Sequence, residues 1–267
     1  MERVALWLEI ASVVCVFLVQ SLPIGFQFRR RRRVPWMFGL LVFIGVAGAF
    51  GVQRAVVLVG AILVAASLIV LANGWRESQR FQAAWLKRFQ SAEPVILSAP
   101  FEGSWKALGT GPSVARNHHL AAQDQWFATD FVRVNGESRG SRILAPVDGV
   151  VAYLEDGHRD KPARRWIQKD LASPAGNHVS LRIDGREDDF VILAHLEQGS
   201  ITVHVGERVR AGDLIARCGN SGNTTVPHLH IHAQPAERFV PGSVWGVPVL
   251  FATRAQWLSP GEIVSGA

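Results

Sequence analysis

The sequence predicts an all-β domain preceded by α-helical transmembrane segments. Residues 1–75 contain three long apolar runs, whereas the stretch from residue 93 alternates short β-branched runs with Gly, Pro and Asp. Many short strands with turn residues between them, and without a helical period, are typical of an all-β domain. The chain has 267 residues, a length that suits one or two domains.

The apolar runs predict three membrane-spanning helices, at 4–25, 35–52 and 55–74. Each run is close to the length of about 20 residues that crosses the hydrocarbon core of a bilayer. Only Gln53 and Arg54 separate the second run from the third, which favours a tight hairpin of two spans. The alternative is one kinked helix over both runs, which would exceed the thickness of a bilayer about twofold.

A basic amphipathic linker follows at 76–92, with the sequence "RESQRFQAAWLKRFQ" at its centre. Such a stretch lies along a membrane surface or extends the preceding helix. The β-rich part then covers 93–254, and we predict a C-terminal tail over 255–267.

The positive charge of the chain belongs to its N-terminal part. Residues 1–90 contain eleven Lys or Arg and three Asp or Glu, a net charge of +8, and the remainder has a net charge of −2. This distribution does not predict a nucleic-acid partner. Arginines at 29–33 and the basic residues of the linker lie on one side of a hairpin. Because Lys and Arg favour the cytoplasmic side, the charge bias favours a cytoplasmic β-domain.

All nine histidines lie between His118 and His232, and three of them alternate in "NTTVPHLHIHAQP". Alternation of polar and apolar residues predicts a β-strand, on which His228, His230 and His232 share one face about 6–7 Å apart. One interpretation is an exposed polar strand face. The other is one wall of a metal or acid–base site.

Three further segments contain candidate functional residues: "RNHHLAAQDQWFATDFV" with His118, His119 and Asp130, "FVILAHLEQGS" with His195, and the Gly/Asn-rich "CGNSGNTT". Taken alone, a histidine in an apolar run is more often a hydrogen-bonded core residue. Taken together, two imidazoles and a carboxylate with an open fourth position are what catalytic zinc requires. Additional histidines nearby can transfer protons.

Five motifs follow one another along the chain: "APVDGVV" at 145–151, "GNHVSLRI" at 176–183, "LAHL" at 193–196, "VGERVRAGDLIARCGNSGNT" at 205–224 and "PHLHIH" at 227–232. In this order they resemble the motifs of the M23 family of zinc metallopeptidases, the lysostaphin and LytM type, which cut peptide bonds in bacterial peptidoglycan. The resemblance implies an all-β catalytic domain with an antiparallel-sheet or open barrel-like M23 fold. It also implies a zinc metalloendopeptidase with one zinc ion per chain.

The resemblance implies roles by position. Asp130 and His230 would be zinc ligands, while His195 and His228 would flank the attacking water and the scissile carbonyl. One of this pair would take the proton of the water and the other would stabilise the oxyanion. The usual H-x-x-x-D pattern would place the first ligand at Trp126. In a branch of the family that "Q-x-x-A-x-D-F" resembles, the histidine stands further upstream, which implies His119, with His118 as second choice.

For the remaining candidate residues, the sequence predicts a position but no defined role in catalysis. His232 either lines a groove or hydrogen-bonds a metal ligand, and His178 either faces the site or lies on a surface strand. His158 and His204 are expected on the surface, and Cys218 in a structural position. The stretch 155–175 is expected to be an insertion that walls a binding groove.

Two other functions were weighed against a peptidase. A catalytically inactive M23-like module that binds or activates a partner is favoured by Trp126. A lipoyl- or biotinyl-like carrier is rejected, because Lys161 and Lys169 fall in the long insertion rather than at a tight hairpin. Peptidoglycan or another peptide is the expected substrate and a lipid bilayer the expected partner, while the oligomeric state is not predicted.

The expected location is a multi-pass protein of the cell inner membrane. Because peptidoglycan lies outside the cytoplasmic membrane, the substrate implied by the resemblance favours a periplasmic or extracellular catalytic domain. The charge bias favours the opposite side, so the two criteria disagree.

Overall fold

The computed structural model describes residues 52–113, 115–162, 170, 172–252 and 256–266. The chain divides into two compact units, Met1–Arg80 and Phe81–Ala267. Apart from Val52, the predicted spans 4–25 and 35–52 lie outside the described residues, as do the arginines at 29–33. The multi-pass arrangement therefore stays a prediction.

A long helix, α1, covers Val52–Ser91 and includes the predicted third span. Gln53 and Arg54 lie inside it, so the turn predicted there is wrong; both residue types favour helix. The predicted linker extends this helix. Pro94 follows shortly after its end, where a proline commonly stands.

Within α1, the stretch Gly60–Ser91 can cross a membrane by its length and composition. Its mean hydropathy is 1.2, and 0% of its apolar window is buried. Exposed apolar side chains such as Leu68 and Ile69 are consistent with a lipid environment. One helix meets these criteria among the described residues, and membrane anchoring stays a proposal.

The described residues after the helix form short strands, as the turn-rich sequence predicts. They are β1 (Val95–Leu97), β2 (Gly103–Ala107), β3 (Thr129–Arg133), β4 (Arg142–Leu144), β5 (Gly149–Glu155), β6 (Asn177–Ile183), β7 (Arg186–Leu196), β8 (Arg208–Val209), β9 (Leu214–Arg217), β10 (Leu229–Gln234), β11 (Val249–Phe251) and β12 (Ile263–Gly266). Two short 3-10 helices, η1 (His118–Ala121) and η2 (Gln123–Gln125), precede β3.

Eight of these strands form one antiparallel sheet in the order β12-β2-β3-β10-β7-β6-β5-β8. Two smaller sheets pair β4 with β9 antiparallel and β1 with β11 in parallel. The antiparallel all-β fold is thus confirmed for the large sheet. Residues 255–267, predicted as a tail, include β12, which pairs with β2 at the sheet edge.

The main core packs one face of the large sheet against the small sheets. From β10 it takes Leu229, Ile231 and Ala233, which alternate with the histidines. Period-2 alternation therefore sends the apolar residues of β10 to the core and its polar residues to the opposite face. All six residues of β10 are buried, so the histidine-bearing face is covered and is not an exposed polar surface.

A second, aromatic cluster surrounds the end of α1. Trp85, 1% exposed, packs with Trp126, Phe127 and Leu120. Its indole Nε1 donates a hydrogen bond of 2.7 Å to the carbonyl of Trp126. Aromatic rings bury large apolar areas and prefer the tilted and edge contacts seen here. The last turns of α1 thus pack beneath the segment that carries η1 and η2.

Candidate metal and catalytic site

The site begins with the pairing of β3 and β10, which sets Asp130 opposite His230. Side chains directly opposite each other on an antiparallel pair lie on the same face. The Nδ1 atom of His230 is 2.9 Å from the Oδ1 atom of Asp130, and both residues are buried. Strand register alone therefore brings together an imidazole and a carboxylate that are 100 residues apart.

His119 reaches the same carboxylate from η1. The side chain of Asn117 caps this helix by accepting from the backbone N–H of His119. The ring Nδ1 of His119 donates to the carbonyl of Gly109 at 2.6 Å, so its Nε2 points to Oδ1 of Asp130 at 3.2 Å. A Cβ on Gly109 would lie 2.9 Å from the His118 ring and 3.2 Å from the His119 ring, so a glycine leaves room for both imidazoles.

His118 also faces Asp130, but from the solvent side. Its Nε2 is 3.5 Å from Oδ2 of Asp130, and its side chain is 70% exposed, against 3% for His119. The ligand atoms of His118, His119 and Asp130 lie within 4.8 Å of one another. Two neighbouring histidines can thus approach one carboxylate, and the buried one has the more constrained ring.

Trp126 stands at the position where H-x-x-x-D would place a ligand. Its side chain is 8% exposed and packs edge-on against Trp245 at 4.9 Å. It is part of the aromatic cluster described above rather than of the group of histidines around Asp130.

His195 occupies a bulge at the end of β7. Asn177 pairs with Leu196 and His178 with Ala194, so His195 is the extra residue of β7. Its φ is +63°, the one positive value of a non-glycine residue in the described part of the chain. Such bulges redirect a side chain, and strained backbone conformations cluster at functional sites. The ring of His195 lies 4.7 Å from that of His228.

His195 and His228 are held in the same way. The Nδ1 of His195 is 2.9 Å from the carbonyl of Ser221, and the Nδ1 of His228 is 2.8 Å from the carbonyl of Val226. A carbonyl only accepts, so each Nδ1 carries the hydrogen and each Nε2 is left as an acceptor in the neutral ring. The Nε2 of His228 lies 3.6 Å from Oδ1 of Asp130.

Burial and mutual charge set the protonation of this group. Burial alone would lower the pKa of His119, but the Asp130 carboxylate outweighs it and raises that pKa. Burial alone would raise the pKa of Asp130, but His119 and His228 hold it well below its ordinary value. Burial lowers the pKa of His195 well below its usual range and that of His230 to about 3. The Asp130 carboxylate thus favours a proton on His119 and lies beside the neutral imidazoles of His195 and His230.

The donor atoms suit a zinc ion. In its neutral form, the ring of His119 carries its hydrogen on Nδ1, which donates to Gly109, and turns the lone pair of Nε2 toward the Asp130 carboxylate. An imidazole lone pair and a carboxylate oxygen at 3.2 Å repel each other unless a proton or a metal cation lies between them. Two imidazole nitrogens and one carboxylate oxygen form the three-ligand set of a catalytic zinc site.

The other histidines that the sequence offers as candidates lie beside the histidines around Asp130 or away from them. His232 is buried next to His230, with its Nδ1 3.0 Å from the Nε2 of His230. His178 shares the face and row of His230 but lies two strands away, beyond Ala194. His158 is half-buried against Glu155 at 2.9 Å, and His204 is exposed as predicted.

The insertion after β5 contacts the Gly/Asn-rich loop near His195. Lys161 donates from Nζ to the carbonyl of Gly222 at 2.7 Å, and Asn220 donates to the carbonyl of Lys161. Residues 163–169, including Lys169, lie outside the described residues. Cys218 is fully buried, and burial raises the pKa of its thiol.

Residues 132–240 match the family model described as peptidase family M23. This stretch of the chain is therefore similar to peptidase family M23. The match contains His195, His228 and His230 but begins after His119 and Asp130. The candidate site thus extends beyond the stretch that the family model matches.

A protein described as "Uncharacterized metalloprotease" from Haemophilus influenzae is 38% identical over 93 residues. The aligned stretch is 35% of this chain and 16% of the relative, so the chain spans about a sixth of that protein's length. The name belongs to that protein, and the properties of the whole relative do not transfer to this chain.

Two solved structures illustrate the more distant likeness. Lysostaphin from Staphylococcus simulans, described as an antimicrobial peptidase, is 24% identical with a TM-score of 0.32, covering 44% of this chain and 40% of that chain. A zinc-containing peptidase from Vibrio cholerae is 21% identical with a TM-score of 0.31, covering 57% and 38%. At these values neither structure constrains the function of this chain.

Several site residues were not singled out in the sequence. Gly109 and Asn117 fix His119 through a carbonyl and a side-chain cap, and neither has a pattern that points to this role. Gln234 could have been found, because it continues the alternation of His228, His230 and His232 by one step. Its contacts are described below.

Proposed function

We propose that this chain is a membrane-anchored zinc metalloendopeptidase that hydrolyses peptide bonds in peptidoglycan cross-links or stem peptides. The observation that carries the proposal is the convergence of His119 and His230 on one oxygen of Asp130, at 3.2 and 2.9 Å. His195 and His228 line the same buried cluster and lie within residues 132–240, the stretch that matches peptidase family M23.

His119, Asp130 and His230 would hold one zinc ion, with His118 as the second choice for the first ligand. Zinc at such a site supplies Lewis acidity, which acidifies a water molecule and polarises a peptide carbonyl. The exposed ring of His118 leaves solvent access on the side of Oδ2 of Asp130. The buried ring of His119 cannot rotate away without breaking its bond to Gly109.

His195 and His228 would be the catalytic residues, and both would act through Nε2. Each ring is fixed by a backbone carbonyl at Nδ1, so Nε2 can accept the proton of the attacking water. A ring protonated in this way then donates from Nε2 to the oxyanion or to the leaving amine. The lowered pKa of His195 favours its neutral form, which suits a proton acceptor.

The membrane assignment rests on α1 and on the apolar runs before it. A peptidase of peptidoglycan would need its catalytic domain on the periplasmic or extracellular side of the inner membrane. The charge bias of the linker and of residues 29–33 favours the cytoplasmic side. We propose the periplasmic or extracellular side, on the substrate class that the M23 resemblance implies.

The alternative of a catalytically inactive binding or activating module rests on Trp126. The short distance from His119 to Asp130 weakens that alternative, because His119 supplies the ligand nitrogen that Trp126 cannot supply at the usual position. Five separate residues with complementary roles also favour catalysis over a scaffold.

The test is digestion of purified peptidoglycan by the full-length chain in detergent, with chromatography of the released fragments. We expect cleavage that a zinc chelator abolishes and that added zinc restores. His228→Ala should keep zinc and lose activity by at least about 100-fold, the usual contribution of an acid–base residue. His204→Ala, on an exposed side chain, is the matched control. A zinc-loaded chain that releases no fragments would favour the inactive module.

A further inference from the structure

Two buried polar residues on β10, His232 and Gln234, lie beside the site and have no role in the proposed reaction. Their exposed fractions are 1% and 0%. They continue the row of His230 along the same face of the strand. Burying an imidazole and an amide costs free energy unless their polar atoms form hydrogen bonds. The partners of these atoms therefore determine how the two side chains are oriented.

The amide of Gln234 has a fixed orientation. Its Nε2 is 2.8 Å from the carbonyl of Ala236 and 2.8 Å from the carbonyl of Arg238. Both carbonyls only accept, so the NH2 group must face them. The Oε1 atom of Gln234 is thereby turned toward His232, at 3.1 Å from its Nε2.

That orientation fixes the tautomers of two histidines in succession. Oε1 of Gln234 accepts, so the Nε2 of His232 carries a hydrogen and its Nδ1 is an acceptor in the neutral ring. The Nδ1 of His232 then accepts from the Nε2 of His230 at 3.0 Å. The hydrogen of His230 is therefore on Nε2, and its Nδ1 faces Asp130 unprotonated.

We propose that His232 and Gln234 are positioning residues, a relay that keeps the Nδ1 atom of His230 free of hydrogen so that it can bind a metal ion. The inference rests on the proposed zinc site. His119 is fixed in the opposite sense, since its Nδ1 donates to Gly109 and its Nε2 faces Asp130. In its neutral form, each proposed ligand thus turns toward Asp130 the ring nitrogen that carries no hydrogen.

Without the relay, His230 has a competing arrangement. A ring with its hydrogen on Nδ1 would donate directly to Asp130 and would satisfy the carboxylate in the absence of metal. That hydrogen would occupy the nitrogen that the metal needs. Partners that orient a ligand histidine in this way commonly contribute to metal affinity.

The test measures zinc affinity of the full-length chain in detergent, by competition with a chromophoric chelator. His232→Leu removes the acceptor, whereas His232→Asn keeps an oxygen that can accept from His230. We expect affinity to fall about 10- to 100-fold in His232→Leu and to stay within about threefold in His232→Asn. His178→Leu is the matched control, because it removes a buried imidazole from the same face two strands away.

Ring nitrogen-15 spectra of the zinc-free chain provide a second measurement that does not depend on activity. We expect His230 to carry its hydrogen on Nε2 in the unmutated chain and to shift toward Nδ1 in His232→Leu. Unchanged affinity in His232→Leu, or an equal loss in His232→Asn, would overturn the relay. Failure of the unmutated chain to bind zinc would overturn the zinc site itself, and the spectra would still report whether the tautomer is fixed.

Discussion

The two halves of the candidate site are built by different means. His195, His228 and His230 lie in or beside β7 and β10, and backbone register sets their positions. His119 lies on a single 3-10 turn, which a cap and the aromatic cluster around Trp85 hold in place. Both halves meet at Asp130. The strand half depends on hydrogen bonds, while the turn half depends on the packing of large side chains at the end of α1.

Removal of the residue that both halves share should have the largest effect. In Asp130→Ala, His119 and His230 lose the carboxylate between them, and the metal loses its one anionic ligand. We expect zinc affinity to fall by more than about 100-fold, beyond the usual cost of losing a residue that only orients a ligand. Chelator competition measures the change. Asp184→Ala, which breaks an exposed ion pair with Arg208, should leave affinity unchanged; equal losses in the two variants would contradict a shared ligand.

Trp85→Ala tests the turn half of the site, which holds His119, separately from the strand half. Truncation of a buried Trp typically costs about 3–5 kcal/mol, and here it also removes the hydrogen bond to Trp126. We expect a clear drop in thermal stability and weaker zinc binding through His119. Trp75→Ala, on a side chain 65% exposed, is the matched control. If both variants unfold at the temperature of the unmutated chain, the packing account of this half is wrong.

The pH dependence of zinc binding sharpens the comparison further. The pKa of His119 is raised by Asp130, so its ring holds a proton at pH values above its ordinary midpoint of 6.5. Metal binding requires the unprotonated ring, and affinity should therefore be highest at alkaline pH. It should fall about tenfold per pH unit below the raised pKa, for one displaced proton. His119→Gln should flatten the slope, whereas His195→Gln should keep it; a flat profile in the unmutated chain would speak against His119 as a ligand.

The strand half could be predicted from the sequence, and the turn half could be predicted only in part. Alternation in "HLHIH" placed three imidazoles on one face, because strand geometry repeats every two residues. The family resemblance implied His119 with His118 as second choice, and the order of the two depends on burial and on the carbonyl of Gly109, which the sequence does not show. The bulge at His195 and the packing of Trp85 were not predictable either. Both depend on contacts between segments far apart in the chain.

The helix α1 was also predicted only in part from the sequence. Composition predicted the apolar stretch 55–74 correctly as helical, but placed a turn at Gln53 and Arg54, where α1 continues. A polar pair within an apolar stretch does not by itself end a helix, because Gln and Arg are both good helix formers.

The zinc content of the purified full-length chain tests the central claim most directly, measured beside His119→Ala and His118→Ala. We predict about one zinc ion per chain in the unmutated protein and in His118→Ala, and loss of the metal in His119→Ala, because a catalytic site needs all three of its protein ligands. Absence of zinc from the unmutated chain would contradict the metallopeptidase and favour an inactive module. Loss of zinc in His118→Ala but not in His119→Ala would contradict the assignment of the first ligand.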